Sequence, residues 1–239
     1  MKQILLIIGI TLSLNSFAQT SKWIKNRVSN TLVENAEYIK VNGKKLKNGE
    51  CFVMDQANNE LARGKYKQGV KDSVWNYYSQ SGDLIQVYDY AQAKMIYNVA
   101  DRKTIVQQAS VVDTAGSVNA KVVAPQKLGG VNYGFNLLYN ERNLPTAVKQ
   151  QTDKVLMEYV FSVSETGKTE KLSINYSSTF YNSENPQSLD SSIPDAYDFT
   201  PATINGKPVK SKFIYQIIME VSQARDKSLY AIPTQGNNH

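Results

Sequence analysis

Three sets of residues in this chain are of types that can do chemistry. Cys51 is the only cysteine and lies in Glu50-Cys51-Phe52-Val53-Met54. A thiol becomes a nucleophile only when a base or cation favours the thiolate. No sequence neighbour is spaced to act as that base, so a small buried residue is expected. His239 is the only histidine and the last residue, a position expected to dangle rather than to catalyse. Asp195 and Asp198 form the third set. Two carboxylates can share acid and base work in glycoside hydrolysis, but these flank a turn, where solvated acids are the ordinary case. Metal-ligand clusters, a phosphate-cradling glycine loop with lysine and a nucleophile elbow are missing from the sequence. The expectation is therefore no catalytic residue, no metal, no cofactor and no enzyme activity.

The elements that hold these residues begin with the N-terminus. Lys2 is followed by the apolar run Ile4–Leu14, 11 residues broken by Gly9, Thr11 and Ser13, and then by Ser16-Phe17-Ala18. This reads as a secretory signal peptide over residues 1–18, cut after Ala18. The run is shorter than the roughly 20 apolar residues of a membrane span. A periplasmic or secreted protein with no stable anchor is expected. The net charge is +6, or +5 once Lys2 is removed with the leader. The lysines are scattered, and the cluster Lys40, Lys44, Lys45 and Lys47 is interrupted by Asn42 and Gly43. A solvated basic face is expected rather than a nucleic-acid surface. One cysteine permits no internal disulfide, so an apolar core must hold an exported chain together.

Residues 22–47 carry Trp23, Val28 and Leu32 at weakly helical spacing. From Gly49 onward the pattern becomes one of strands and turns. Strands are predicted over Glu50–Met54, Glu60–Tyr66, Ser73–Tyr78, Leu84–Tyr90 and Lys94–Val99, separated by polar and glycine turns at short intervals. That spacing predicts an antiparallel meander. Trp75, Tyr77, Tyr78, Tyr88 and Tyr90 are expected to pack the sheet on itself rather than to bind glycan or lipid headgroups.

Within this stretch Gly64, Tyr66 and Gly69, then Asp72-Ser73-Val74-Trp75, the pair Tyr77-Tyr78 and the Gly82 turn resemble a MORN-type repeat. The likeness is to the divergent variant found in exported bacterial proteins and an antitoxin-associated family. Ser73 stands where that pattern has glycine. The resemblance makes residues 19–100 a MORN-like β-hairpin region. A toxin-neutralising or scaffold role through these repeats is one alternative it implies.

Residues 101–124 have no aromatic residue and read as a linker with a short strand near Ser110–Val112. All seven prolines lie beyond them, starting at Pro125. Val155, Met157, Tyr159, Phe161 and Val163 alternate with Leu156, Glu158, Val160 and Ser162, which predicts a strand with one wholly apolar face. Gly167 supplies the reversal, and alternation resumes at Leu172, Ile174 and Tyr176. A short helix is expected from Phe135, stopped near Asn143. A polar loop is expected over Ser177–Ser192, and a helix over Leu189–Tyr197 that Pro194 limits to a turn or two. Asn205-Gly206 marks another reversal, and Lys212–Val221 a closing strand. The tail 223–239 is polar.

Gly129-Gly130, Leu144-Pro145, the strand Val155–Val163, Gly167, Phe199-Thr200-Pro201-Ala202, Asn205-Gly206-Lys207-Pro208-Val209 and the closing strand resemble, in order and spacing, the C-terminal domain of TonB. The resemblance spans residues 125–222. It departs in the enlarged loop Ser177–Ser192 and at Pro194. It implies an α+β fold: the N-terminal meander followed by short helices on a three-stranded antiparallel sheet. Gly129, Gly130, Pro145, Gly167, Pro201, Gly206 and Pro208 would be its structural motif residues. The family's closing strand offers a free edge to an extended segment of an outer-membrane receptor, by main-chain pairing. The matching residues here are Phe213, Ile214, Tyr215, Gln216, Ile217, Ile218 and Met219. The resemblance thus implies an envelope protein as partner. The alternative it raises is a membrane-anchored energy transducer for outer-membrane transport. That role needs an anchor and a stiff spacer, and residues 19–124 contain no proline.

Overall fold

The computed structural model describes residues 20–99, 107–111, 120–138, 144–150 and 154–220. The expected signal peptide 1–18, His239 and the tail from Val221 lie outside the described residues. Strands, numbered in chain order, account for nearly all of the regular structure, as the alternating apolar pattern dictates. β1 (Lys22–Arg27), β2 (Leu32–Val41), β3 (Lys44–Asp55), β4 (Glu60–Lys67), β5 (Val70–Tyr78), β6 (Leu84–Asp89) and β7 (Lys94–Asn98) form one seven-stranded sheet in sequence order. Every neighbouring pair is antiparallel.

One face of this meander is a core. Leu32, Ala36, Cys51, Val53, Leu61, Trp75, Tyr77 and Tyr88 are buried together. The weak helical spacing over residues 22–47 is overturned: the segment forms β1, β2 and the start of β3. The decisive signal was period two. Leu32, Glu34 and Ala36 point inward, while Trp23 lies half-exposed on the other face against Phe52, with ring centroids 5.4 Å apart. Gly64 is needed for close approach, because a Cβ there would fall 2.3–2.5 Å from atoms of the Trp75 indole. Ser73, at the glycine position of the repeat pattern, holds a left-handed φ of 57°.

A second sheet has the order β13-β12-β11-β17-β8. Its strands are β8 (Gln107–Val111), β11 (Lys154–Val163), β12 (Thr169–Ser177), β13 (Asn182–Gln187) and β17 (Ser211–Glu220). β11 carries the expected apolar face, with Val155, Met157, Tyr159, Phe161 and Val163 all buried. Gly167, at φ 78°, turns it into β12; a Cβ there would lie 2.2 Å from the Phe199 carbonyl oxygen. The three-stranded sheet of the sequence reading is enlarged on both sides. The expected loop Ser177–Ser192 contributes β13, which pairs with β12 from Leu172↔Gln187 to Ser177↔Asn182. Its polar residues hid it, because an edge strand facing water needs no apolar alternation. The expected linker contributes β8, paired with β17, and β9 (Val122–Val123).

Shorter pairings frame this sheet. β9 joins β15 (Ala202–Ile204) and β16 (Lys207–Val209), and β10 (Gln126–Lys127) joins β14 (Phe199–Thr200). Among the described residues, helical structure is confined to short pieces. They are a π-helical segment Gly130–Phe135, a one-turn helix α1 (Thr146–Lys149) and a 3₁₀ turn Pro194–Tyr197. Residues 139–143, where the first expected helix would end, lie outside the described residues. Pro194 opens the 3₁₀ turn, so the second expected helix shrinks to four residues.

The segment around the π-helical turn rivets the two sheets. Leu128, Tyr133 and Leu137 enter the core of the first sheet, Phe135 enters the core of the second, and Leu138 packs against both. The Phe135 ring stacks on Tyr215 with centroids 3.6 Å apart. Among the described residues no helix is long and apolar enough to cross a membrane.

Candidate functional site

The residues expected to receive a partner lie on β17. Phe213, Tyr215 and Met219 point into the core, and Ile217 packs against it half-buried. Ile214, Gln216 and Ile218 face the opposite side, where Ile218 is 48% exposed. β17 pairs along all ten residues with β11, from Lys154↔Glu220 to Val163↔Ser211. On its other side β8 pairs with Ser211–Tyr215. The edge expected to be free over Phe213–Met219 is therefore already occupied over Phe213–Tyr215 by the chain's own backbone. Beyond Tyr215 no strand pairs with this side among the described residues. A side-chain pattern reveals which face of a strand is apolar, but it carries no record of which strand lies beside it.

The motif residues of the closing unit take local structural parts. Gly129 and Gly130, at φ 81° and 60°, lead into the π-helical segment, and the Gly129 amide donates to Gln86 Oε1 at 2.7 Å. The Pro145 carbonyl accepts from the amides of Val148 and Lys149 and starts α1. Pro201 separates β14 from β15, Gly206 turns β15 into β16, and Pro208 sits on the edge strand β16, where a missing amide proton is tolerated.

A second constellation was not anticipated. Lys71 on β5 is buried, and its Nζ lies 2.8 Å from Asp195 Oδ2. The Tyr133 hydroxyl donates to the same oxygen at 2.8 Å. The ammonium sits over four rings, 4.0 Å from the centroid of Trp75 and 5.0–5.5 Å from those of Tyr77, Tyr90 and Tyr133. Tyr77 and Tyr90 share a hydroxyl–hydroxyl bond of 2.8 Å. Such rings attract a cation with their negative faces. The occupant of this cage is the chain's own lysine.

The charges follow from that geometry. Burial opposes the Lys71 ammonium, but Asp195 and the phenolic oxygens more than offset it and hold it charged beyond its ordinary range. Burial likewise pushes the Asp195 carboxyl up, while Lys71, Tyr133 and Lys127 bring it below the usual carboxylate range. Burial pushes the Tyr77 hydroxyl up to about 12. Lys127 on β10 is also buried, and its Nζ donates to the carbonyls of Leu128, Asp195 and Asp198 at 3.2, 2.9 and 3.1 Å. Burial depresses this amine to about 7, against the pull of Asp198 and Asp195. Sequence spacing could not assemble this cluster, since Lys71, Tyr133 and Asp195 are 62 residues apart in each step. The one available signal was a lysine in phase with Trp75 and Tyr77 on a strand whose inner face is otherwise aromatic.

The acids weighed as a hydrolytic pair are each held by a different lysine. Asp195 binds Lys71, and Asp198 Oδ1 binds Lys168 Nζ at 2.7 Å. Cys51 is fully buried, and burial together with Glu34 pushes its thiol up, away from thiolate chemistry. Among the described residues no group of three metal-ligating side chains converges. No family model, no curated protein and no solved structure matches this chain.

Proposed function

We propose that this chain is an exported envelope protein that binds another protein by strand addition at β17. The resemblance of residues 125–222 to the TonB C-terminal domain suggests the mode, and one observation carries it. β17 is ten residues long and fully paired on one side, whereas among the described residues its outer side carries a strand only as far as Tyr215. Unpaired main-chain donors and acceptors on a strand edge are a template for another chain. Phe213, Tyr215 and Met219 anchor that edge in the core, so it is presented rigidly. Ile218, exposed beside Leu156 on the outer face, offers apolar contact to a neighbouring strand. The MORN-like meander serves as the platform on which this unit is mounted through Leu128, Tyr133 and Leu137.

The test places a photo-crosslinking amino acid at Gln216 or Ile218 in intact cells, with Val70 as a control on the far sheet. Crosslinks from 216 and 218 to one envelope protein, at partner residues running antiparallel to β17, support the reading. Equal capture from Val70, or partner residues in no strand register, refutes it. N-terminal sequencing of the mature protein decides between the forms of this function. A start at Gln19 supports the soluble form, and retention of Met1–Ala18 in the inner membrane supports the energy transducer.

A further inference from the structure

The buried aromatic residues of the first sheet line its inner face, and a second set lies on its outer face. Residues directly opposite in antiparallel strands share a face. One row of such partners runs across the sheet from β2 to β7: Asn35, Phe52, Arg63, Asn76, Val87 and Tyr97. Trp23 on β1 joins the row by leaning onto Phe52. Trp23 is 52% exposed and Tyr97, at the far end, 45%, whereas Trp75 is wholly buried. Single exposed rings need no explanation, but rings, amides and a guanidinium aligned in one row form a patch that does. The middle of the row is held in place. Arg63 lies over the Phe52 ring, with Cζ 5.6 Å from its centroid, and Glu60 accepts from Arg63 Nε and Nη2 at 2.7 and 2.5 Å. Beside it, Lys65 pairs with Glu50 at 2.9 Å. The central charges of this face are therefore neutralised in place, and what it offers is flat rings and amides.

We infer that this outer row binds a neutral polysaccharide of pyranose sugars, laid across the strands. The inference does not depend on strand addition at β17. A pyranose ring presents a C–H face that stacks on an aromatic ring, and hydroxyl groups that bond to amides and to a guanidinium–carboxylate pair. Neighbouring strands lie about 4.8 Å apart, close to the advance of one sugar in an extended β-1,4 chain. The six strands β2–β7 thus accommodate about five or six sugars, with one residue of the row beneath each. Trp23 and Phe52 grip one end and Tyr97 the other. A polyanion or a basic peptide would find no uncompensated charge at the centre of this face, whereas a neutral glycan needs none. Because Glu60 and Phe52 already fix the Arg63 guanidinium, little ordering is left for the ligand to impose.

The experiment titrates the full mature chain with cellohexaose, chitohexaose and cellobiose, with dextran sulfate as the charged control. Affinity is measured by calorimetry, and location by tryptophan emission and acrylamide quenching. Trp75 is shielded, so both optical signals report on Trp23. The variants are W23A and Y97A, at exposed positions of the patch, and V70A, 70% exposed at the start of β5 and outside it. Expected are a hexaose bound at least about tenfold tighter than cellobiose, a blue shift and quenching protection of Trp23, binding about three- to tenfold weaker in W23A and in Y97A, and no change in V70A. No binding of either hexaose overturns the inference. So does binding that leaves Trp23 fully quenchable, or that neither W23A nor Y97A weakens. Binding of dextran sulfate alone overturns the assignment of a neutral ligand. Equal affinity for cellobiose and cellohexaose overturns the row as one extended site.

Discussion

The Lys71–Asp195 pair carries a sharp energetic prediction. Lys71 is only 5% exposed at its side chain, and among the described residues Asp195 is its one carboxylate partner, at 2.8 Å. Asp195→Asn keeps the shape and the Tyr133 contact but removes the counter-charge, leaving an ammonium among four rings. Removing one member of a fully buried pair costs about 3–5 kcal/mol. Asp195 keeps 24% of its side chain in water, so the lower end applies, about 2–3 kcal/mol. Lys71→Met removes the cation and fills much of its volume. The remaining carboxylate keeps the Tyr133 hydroxyl and water, so its cost is about 1–2 kcal/mol, the price of an imperfectly satisfied polar group. In the double variant neither charge is stranded, and the cost stays close to that of K71M alone. Urea denaturation of the four proteins should therefore return a coupling energy of about 2 kcal/mol, and D195N should lower Tm by roughly 5 to 10 °C. Costs that add, with a coupling below about 0.5 kcal/mol, would refute the view that this ion pair fastens the 3₁₀ turn to the first sheet.

Three further outcomes are expected. Lys127 has a folded pKa below its unfolded one, so the unfolded chain binds more protons between about pH 7 and 10. Stability should rise across that window and the rise should vanish in Lys127→Met, as measured by denaturation at a series of pH values; a parallel pH trend in both proteins contradicts it. Gly64→Ala drives a methyl into the Trp75 indole and should cost about 1–3 kcal/mol, whereas Gly82→Ala, with open space around it, should cost about 1 kcal/mol, from its left-handed φ alone. Cys51 should resist a thiol reagent in the native protein and react only on unfolding; rapid native labelling would show that the core of the first sheet opens readily.

Much of the architecture was legible because strands write their burial into every second residue. The inner face of β11, the Gly167 reversal, the Asn205-Gly206 turn and the strands from Glu50 to Asn98 were all readable in this way. The segments that misled share a different property. β1 and β13 are edge strands with largely polar or exposed faces, so no apolar alternation marks them. β8, short and free of aromatic residues, was expected only as a short strand near Ser110–Val112 within a linker, and it runs over Gln107–Val111. Of the candidate site, the identity of the closing strand and the face each of its residues takes could be read, but the occupancy of its edge could not.

Alternation of side-chain type is a local property, and it alone determined where strands and reversals fall and which face of each turns inward. Pairing partners and buried charges are global properties. Only the folded chain decided that β8 lies against Ser211–Tyr215 and that Lys71, Tyr133 and Asp195 meet. The physical reason is range. A strand's apolar face is set within about two residues, whereas an edge is closed, or an ammonium neutralised, by whatever distant segment the packing of the two cores brings alongside.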